Sequence, residues 1–160
     1  MGISIFNSPF SIVNHRLMGG GVVHLVSAKN ARRLEGPDMI VLHYTAGTSA
    51  ESSALFLTRP DVSASAHVVI GREGEVFQLV PFNIEAWHAG KSWYAGRGGL
   101  NRYSIGIELD NLGKLRFSGG LFIAECGRVV SPEEVYTDCS GDTDGIIVTD
   151  FCGCFLSTKL

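Results

Sequence analysis

His43 ends one apolar run, Met39-Ile40-Val41-Leu42, and Glu108 ends another, Ser104-Ile105-Gly106-Ile107. An imidazole at the end of a buried strand can ligate a metal or move a proton at neutral pH. It can equally just close the strand with a backbone hydrogen bond. A carboxylate in an apolar run must be paired, protonated or linked to a metal. The plain reading of Glu108 is a structural ion pair with a basic residue. Its place at the end of its run, like that of His43, points to function instead. If both runs are strands pointing the same way, the two groups face one crevice. Open α/β sheets bind ligands there, outside the carboxyl ends of their strands. His88 lies in residues 81–100, a stretch with little periodicity that also holds both tryptophans, Trp87 and Trp93. Long irregular segments are uncommon unless they bind or catalyse. Indole faces there suit core or loop-anchoring packing, or contact with a ligand.

These groups need elements to hold them. Residues 39–42 are four apolar residues in a row, two of them β-branched, which predicts a strand buried on both faces. Thr45-Ala46-Gly47 break the run, and Ser49 with Ser52 can cap a helix. Ala50, Ala54, Leu55 and Leu57, with Phe56 between them, predict a short amphipathic helix over residues 49–59, ended by Pro60. Residues 66–70 and 75–80 flank Gly71-Arg72-Glu73-Gly74 as a hairpin, with His67 beginning its first strand. Near the N-terminus, Ile12-Val13 and residues 22–26 read as edge strands around a turn at residues 18–21. His15 and His24 read as structural or surface residues. A further hairpin is expected over residues 116–127 through Gly119-Gly120. Residues 141–160 show no helical periodicity.

The whole chain narrows the choice. Its 160 residues suit one domain with one core. A formal net charge of −3 gives no reason to expect a nucleic-acid partner. No run of about 18 apolar residues exists to cross a membrane. The N-terminus lacks a basic segment ahead of a long apolar one, so no secretory signal is read, and Ile5 and Phe6 do not suit myristoylation. The expected location is the cytoplasm. Cys126, Cys139, Cys152 and Cys154 lack zinc-finger spacing.

Four blocks then stand out: VLHYTAG at 41–47, SAHVVIGREGEVFQLVP at 65–81, AWHAG at 86–90 and NRYSIGIELDN at 101–111. Together, in that order, they resemble the zinc-dependent N-acetylmuramoyl-L-alanine amidases. This superfamily includes the cell-wall-recycling amidases, the amidase-type phage lysozymes and the peptidoglycan recognition proteins. The resemblance implies an α/β fold, a single domain with a mixed central β-sheet flanked by helices and a zinc groove on one face. It divides the chain into a lead (1–37), an amidase-like domain (38–140) and an atypical tail (141–160).

By the same resemblance, His43 matches the first zinc ligand and Glu108 the general base. Trp87 and His88, with Ala89 and Gly90, match the groove that contacts the muramyl-peptide. His67 matches a strand histidine suited to a core or supporting role. Ala66 stands where some members place a catalytic tyrosine, which leaves the proton work to Glu108. The implied reaction is hydrolysis of the amide between N-acetylmuramic acid and L-alanine, in peptidoglycan or in muropeptides. In the family Zn2+ activates the water and the carbonyl. Glu108 would take the water's proton and pass it to the leaving nitrogen.

The chain departs from the family after His88. Members place a second zinc histidine near the C-terminus, then an Asp or Cys as third ligand with a lysine beside it. No histidine follows His88 here, and residues 141–160 fit no such segment. The C-terminal part of the domain is therefore expected to be incomplete. Asp150, Cys152 and Cys154 can bind zinc chemically, but not at the family's spacing. His43 alone should hold zinc only weakly. The alternative function is a peptidoglycan-binding module of the same fold with impaired catalysis. Expected partners are peptidoglycan or muropeptides, with no nucleic acid and no membrane, and the chain is expected to be a monomer.

Overall fold

The computed structural model describes residues 10–130 and 156–158. In chain order the first strands are β1 (Phe10–Val13), β2 (Arg16–Gly19), β3 (Val23–His24) and β4 (Met39–Tyr44). The helix α1 (Ala50–Thr58) follows, then β5 (Val68–Ile70) and β6 (Val76–Gln78). Next come a small hairpin, β7 (Trp93–Tyr94) with β8 (Arg97–Gly98), a 3-10 turn at Leu100–Arg102, and β9 (Ser104–Leu109). The chain then forms β10 (Leu115–Ser118), β11 (Leu121–Ala124), β12 (Val129–Val130) and β13 (Leu156–Thr158).

The central sheet has six strands in the order β13-β4-β9-β5-β6-β3. It is mixed, as expected. β4 and β5 both run parallel to β9, whereas β6 is antiparallel to β5 and β13 antiparallel to β4. β3, from within residues 1–37, lies parallel to β6 at the far edge. Burial of β4 is one-sided rather than two-sided. Met39 and Val41 are 1% exposed, while Ile40 and Leu42 are half-buried. Burial on both faces needs a layer on each, and the described residues supply one α-helix in place of the several expected.

That helix forms where the sequence indicates. Ser49 is its N-cap, and its hydroxyl accepts a hydrogen bond from the Ser52 amide. Arg59, extended at φ −61° and ψ 140°, ends it, as the residue before a proline prefers. Ala50, Ala54 and Leu57 pack on Val69, Phe77, Leu79, Val80, Ala66 and Ala86. Leu55 and Phe56, expected on the apolar side, are instead about half exposed. The buried positions 50, 54 and 57 follow the helical repeat, and 55 and 56 fall off that stripe. Just beyond the helix, the Lys29 ammonium donates to the carbonyls of Arg59, Val62 and Ala64 at 2.9, 2.6 and 2.7 Å. It thereby ties down the loop leading to Ser65.

The N-terminal turn falls elsewhere than expected. β1 and β2 pair around Asn14-His15, not around residues 18–21. Both turn residues have positive φ, 49° and 63°, the geometry of a tight two-residue hairpin. Asn tolerates that region readily, but His in place of the usual Gly hides the pattern. The hairpin through Gly119-Gly120 forms as expected, and β12 extends it to three strands. Leu112, Leu115, Ala124 and Val130 give it a small core of its own.

Among the described residues no helix is long and apolar enough to cross a membrane. Residues 1–9, 131–155 and 159–160 lie outside the described part. The readings placed on Ile5, Phe6, Cys139, Asp150, Cys152 and Cys154, and most of the 141–160 segment, fall there. From that segment, β13 pairs Leu156 with Val41 and Thr158 with Met39.

Candidate active site

The parallel pairing of β4 and β9 decides the geometry. Its register sets His43 opposite Glu108. Paired residues on adjacent strands point to the same face of a sheet. Glu108 is also paired with Val69, which belongs to the core under α1. His43 and Glu108 therefore sit side by side on the helix face, near the carboxyl ends of their strands. Thr45 ties those ends together. Its hydroxyl accepts from the Asn111 and Gly47 amides at 3.2 and 3.3 Å, while the Thr45 amide donates to the Leu109 carbonyl. Ala46 takes a left-handed backbone, φ 49°, as the chain swings away toward α1.

Between this loop, α1 and Glu108 lies a cavity of about 310 Å³, lined by Tyr44, Thr45, Gly47, Thr48, Ser52, Ser53, Phe56, Leu57 and Glu108. Glu108 has no ion-pair partner among the described residues, so the structural-pair reading finds no support there. Burial alone pushes its carboxyl up to about 7. The group thus changes protonation near neutrality, as a proton shuttle must.

His88 lies against β9 at Gly106. A Cβ on Gly106 would stand 2.3 Å from Cγ of His88, so the strand needs glycine there to seat the ring. Replacing Gly106 with Ala should cost about 1–3 kcal/mol through overpacking and should dislodge the ring. Urea unfolding measures the cost, and a histidine ring spectrum shows the displacement. An unperturbed His88 resonance would contradict the seat.

Both ring nitrogens of His88 are committed within the protein. Nδ1 is 3.0 Å from His43 Nε2, and Nε2 is 3.2 Å from the Ser104 hydroxyl. The expected contact between His88 and substrate would require one of these bonds to be given up. Burial, with His43 and His67 close by, pushes His88 down to about 3, and burial also lowers His43.

His67 is fully buried in a supporting position. Its Nδ1 accepts from the Gly106 amide at 3.0 Å, so Nε2 carries the proton and donates to the Ile84 carbonyl at 2.9 Å. Burial pushes it down to about 4. It bridges β9 to residues 81–100 and has no nitrogen left for a ligand.

Those residues are not one irregular loop. They contain the β7–β8 hairpin and a bridge from Ile84 to Arg33. The Trp87 backbone is clamped by Ser65, whose amide donates to the Trp87 carbonyl and whose hydroxyl accepts from the Trp87 amide. The Asn101 side-chain oxygen accepts from the His88 and Ala89 amides at 3.1 and 2.7 Å. Trp87 is left 38% exposed, and Gly90 beyond it turns outward at φ 52°. Ser65, Asn101 and Ser104 carry no reactive chemistry of their own, and sequence reasoning assigned them no role. Ser65 stands in the block that holds His67, and Asn101 and Ser104 stand in the block that holds Glu108.

Among the described residues no group of three or more His, Cys, Asp or Glu side chains is placed to hold a metal ion. His43 and His88 share a proton between Nε2 and Nδ1 rather than turning two lone pairs to one point. The described residues alone therefore do not fit a three-ligand zinc site.

Residues 32–138 match the protein family described as N-acetylmuramoyl-L-alanine amidase. The chain belongs to this amidase family. The 1,6-anhydro-N-acetylmuramyl-L-alanine amidase AmpD of Escherichia coli (strain K12) is 34% identical over 121 residues, covering 76% of this chain and 63% of that protein. The N-acetylmuramoyl-L-alanine amidase AmiD of the same organism is 37% identical over 93 residues, 54% of this chain and 33% of its own length. The chain thus spans less than two thirds of the length of either relative. A crystal structure of a selenomethionine derivative of AmpD is similar with a TM-score of 0.50 at 29% identity, over 69% of this chain and 71% of that one. Within this amidase-family domain, the fold brings His43, Glu108 and His88 together on one face of the sheet.

Proposed function

We propose that this chain is an N-acetylmuramoyl-L-alanine amidase domain that hydrolyses the amide joining N-acetylmuramic acid to L-alanine. The observation that carries this reading is the register pairing of His43 with Glu108, a residue that lines the cavity and is held near 7 by burial. At neutral pH such a carboxylate takes a proton from water and returns it to the departing alanine nitrogen. Trp87 offers a flat exposed face for a sugar ring, while Ala89 and Gly90 let the peptide stem approach the backbone. The names of the AmpD relatives favour a soluble 1,6-anhydro-muropeptide over intact wall as substrate, and a cytoplasmic site of action goes with that substrate. In the family, zinc supplies carbonyl polarisation and an activated water. Here such a site needs donors beyond the described residues, with His43 as the one ligand drawn from β4.

A second reading, a muropeptide-binding module with impaired chemistry, is favoured by one observation: no three donors converge among the described residues. Metal content after dialysis separates the two. Stoichiometric zinc together with release of peptide bearing a free L-alanine amine supports the amidase. Substoichiometric zinc with retained muropeptide binding supports the module. In either case His43→Ala should remove whatever zinc the chain holds and leave the fold largely intact. Unchanged zinc stoichiometry in that variant would remove His43 from the metal site.

A further inference from the structure

We propose that Ser104 is a positioning residue whose hydroxyl sets the ring protons of His88 and, through His88, of His43, leaving Nδ1 of His43 as the nitrogen with a free lone pair. The Ser104 oxygen is 2.7 Å from the Leu100 carbonyl oxygen. Two oxygens that close repel unless a proton lies between them, and a carbonyl has none to give. The hydroxyl proton is therefore spent on Leu100. Facing His88 Nε2 at 3.2 Å, Ser104 has only lone pairs, so Nε2 must carry the proton. A neutral His88 then has a lone pair at Nδ1, and His43 Nε2, 3.0 Å away, must donate to it. The only remaining nitrogen of the His43 ring, Nδ1, makes no hydrogen bond among the described residues.

Several features make this relay a built arrangement. Ser104 is completely buried at the first position of β9, and Gly106 two residues on gives His88 the room to lie across the strand. The Asn101 side-chain oxygen holds the His88 backbone amide. His67 has its protons set separately, by the Gly106 amide and the Ile84 carbonyl. A hydrogen bond from the far ring nitrogen commonly fixes which nitrogen of a histidine meets an electrophile. The use of that lone pair rests on the proposed amidase reaction, but the placement of the ring protons does not.

The test is a long-range nitrogen–proton correlation spectrum of metal-free protein labelled with 15N at histidine. In the wild type, His88 and His43 should both show the Nε2–H tautomer. In Ser104→Ala the His88 Nε2 proton loses its hydroxyl acceptor and keeps only the backbone of residue 104. The reverse arrangement, His88 Nδ1–H donating to His43 Nε2, then gains about five- to tenfold in relative population. His43 should accordingly show a mixed signal with a growing Nδ1–H form. His67 should keep the Nε2–H tautomer and so report that the variant is folded. Ser104→Thr keeps the hydroxyl and should return the wild-type pattern. An Nδ1–H tautomer of His43 in the wild type would overturn the proposal. So would an unchanged His43 signal in a folded Ser104→Ala, or a mixed signal in Ser104→Thr. Because no turnover is measured, failure here leaves the amidase reading standing, and an inactive chain leaves this proposal standing.

Discussion

Glu108→Gln should lower muropeptide turnover about 10²–10⁴-fold, the usual worth of a positioned general base, with substrate binding nearly unchanged. The amide fills the same space in the crevice beside His43 but cannot accept and return a proton near neutrality. Steady-state rates and a direct binding isotherm on the same substrate separate the two effects. A fall of less than tenfold would assign the proton transfer to another group. A loss of binding to match the loss of rate would make Glu108 a substrate contact.

The same substitution should alter stability in a way that depends on pH. The Glu108 carboxyl stands near 7 in the folded chain against an ordinary value of 4.5. The folded state therefore holds this proton more tightly than the unfolded state. Its contribution is most favourable below about 4.5 and is lost as pH rises through 7. Above that range the buried, ionised carboxylate costs about 3 kcal/mol, at about 1.4 kcal/mol per unit of displacement. The histidines act in the opposite sense. His67 and His88 lie at about 4 and about 3, below the ordinary 6.5, so their contribution is lost as pH falls from 6.5 toward those values. Metal-free protein should be most stable between about pH 6 and 7. Urea unfolding should show Glu108→Gln more stable than the wild type by up to about 3 kcal/mol near pH 8.5, with that advantage gone near pH 4. An equal difference at both pH values would mean that the carboxylate is not held in a desolvated site.

Much of this arrangement is legible in the sequence because its strongest patterns are local. The run into His43, the Ser49 cap, the stop before Pro60 and the Gly-rich link at residues 71–74 each depend on neighbours in the chain, and each forms where expected. The relation between His43 and Glu108 depends on strand direction and register. A one-residue slip would send the two side chains to opposite faces, so sequence could state the crevice only conditionally. What escaped was carried by residues with unremarkable chemistry. Ser65, Asn101 and Ser104 act through backbone amides and ring nitrogens supplied by distant segments. The Asn14-His15 turn escaped because histidine replaces the glycine usual for that geometry. The exposure of Leu55 and Phe56 escaped because an apolar residue on a helix does not reveal which face is covered.

The most direct test of the central claim is the identity of the bond broken. Purified chain, with zinc supplied, is incubated with a 1,6-anhydro-muramoyl peptide, and the products are read by mass spectrometry and amine labelling. The expected products are a free anhydro-muramic acid and a peptide whose new amine belongs to L-alanine, with the rest of the stem intact. Cleavage within the peptide or the sugar, or an unaltered substrate at full zinc occupancy, would contradict it.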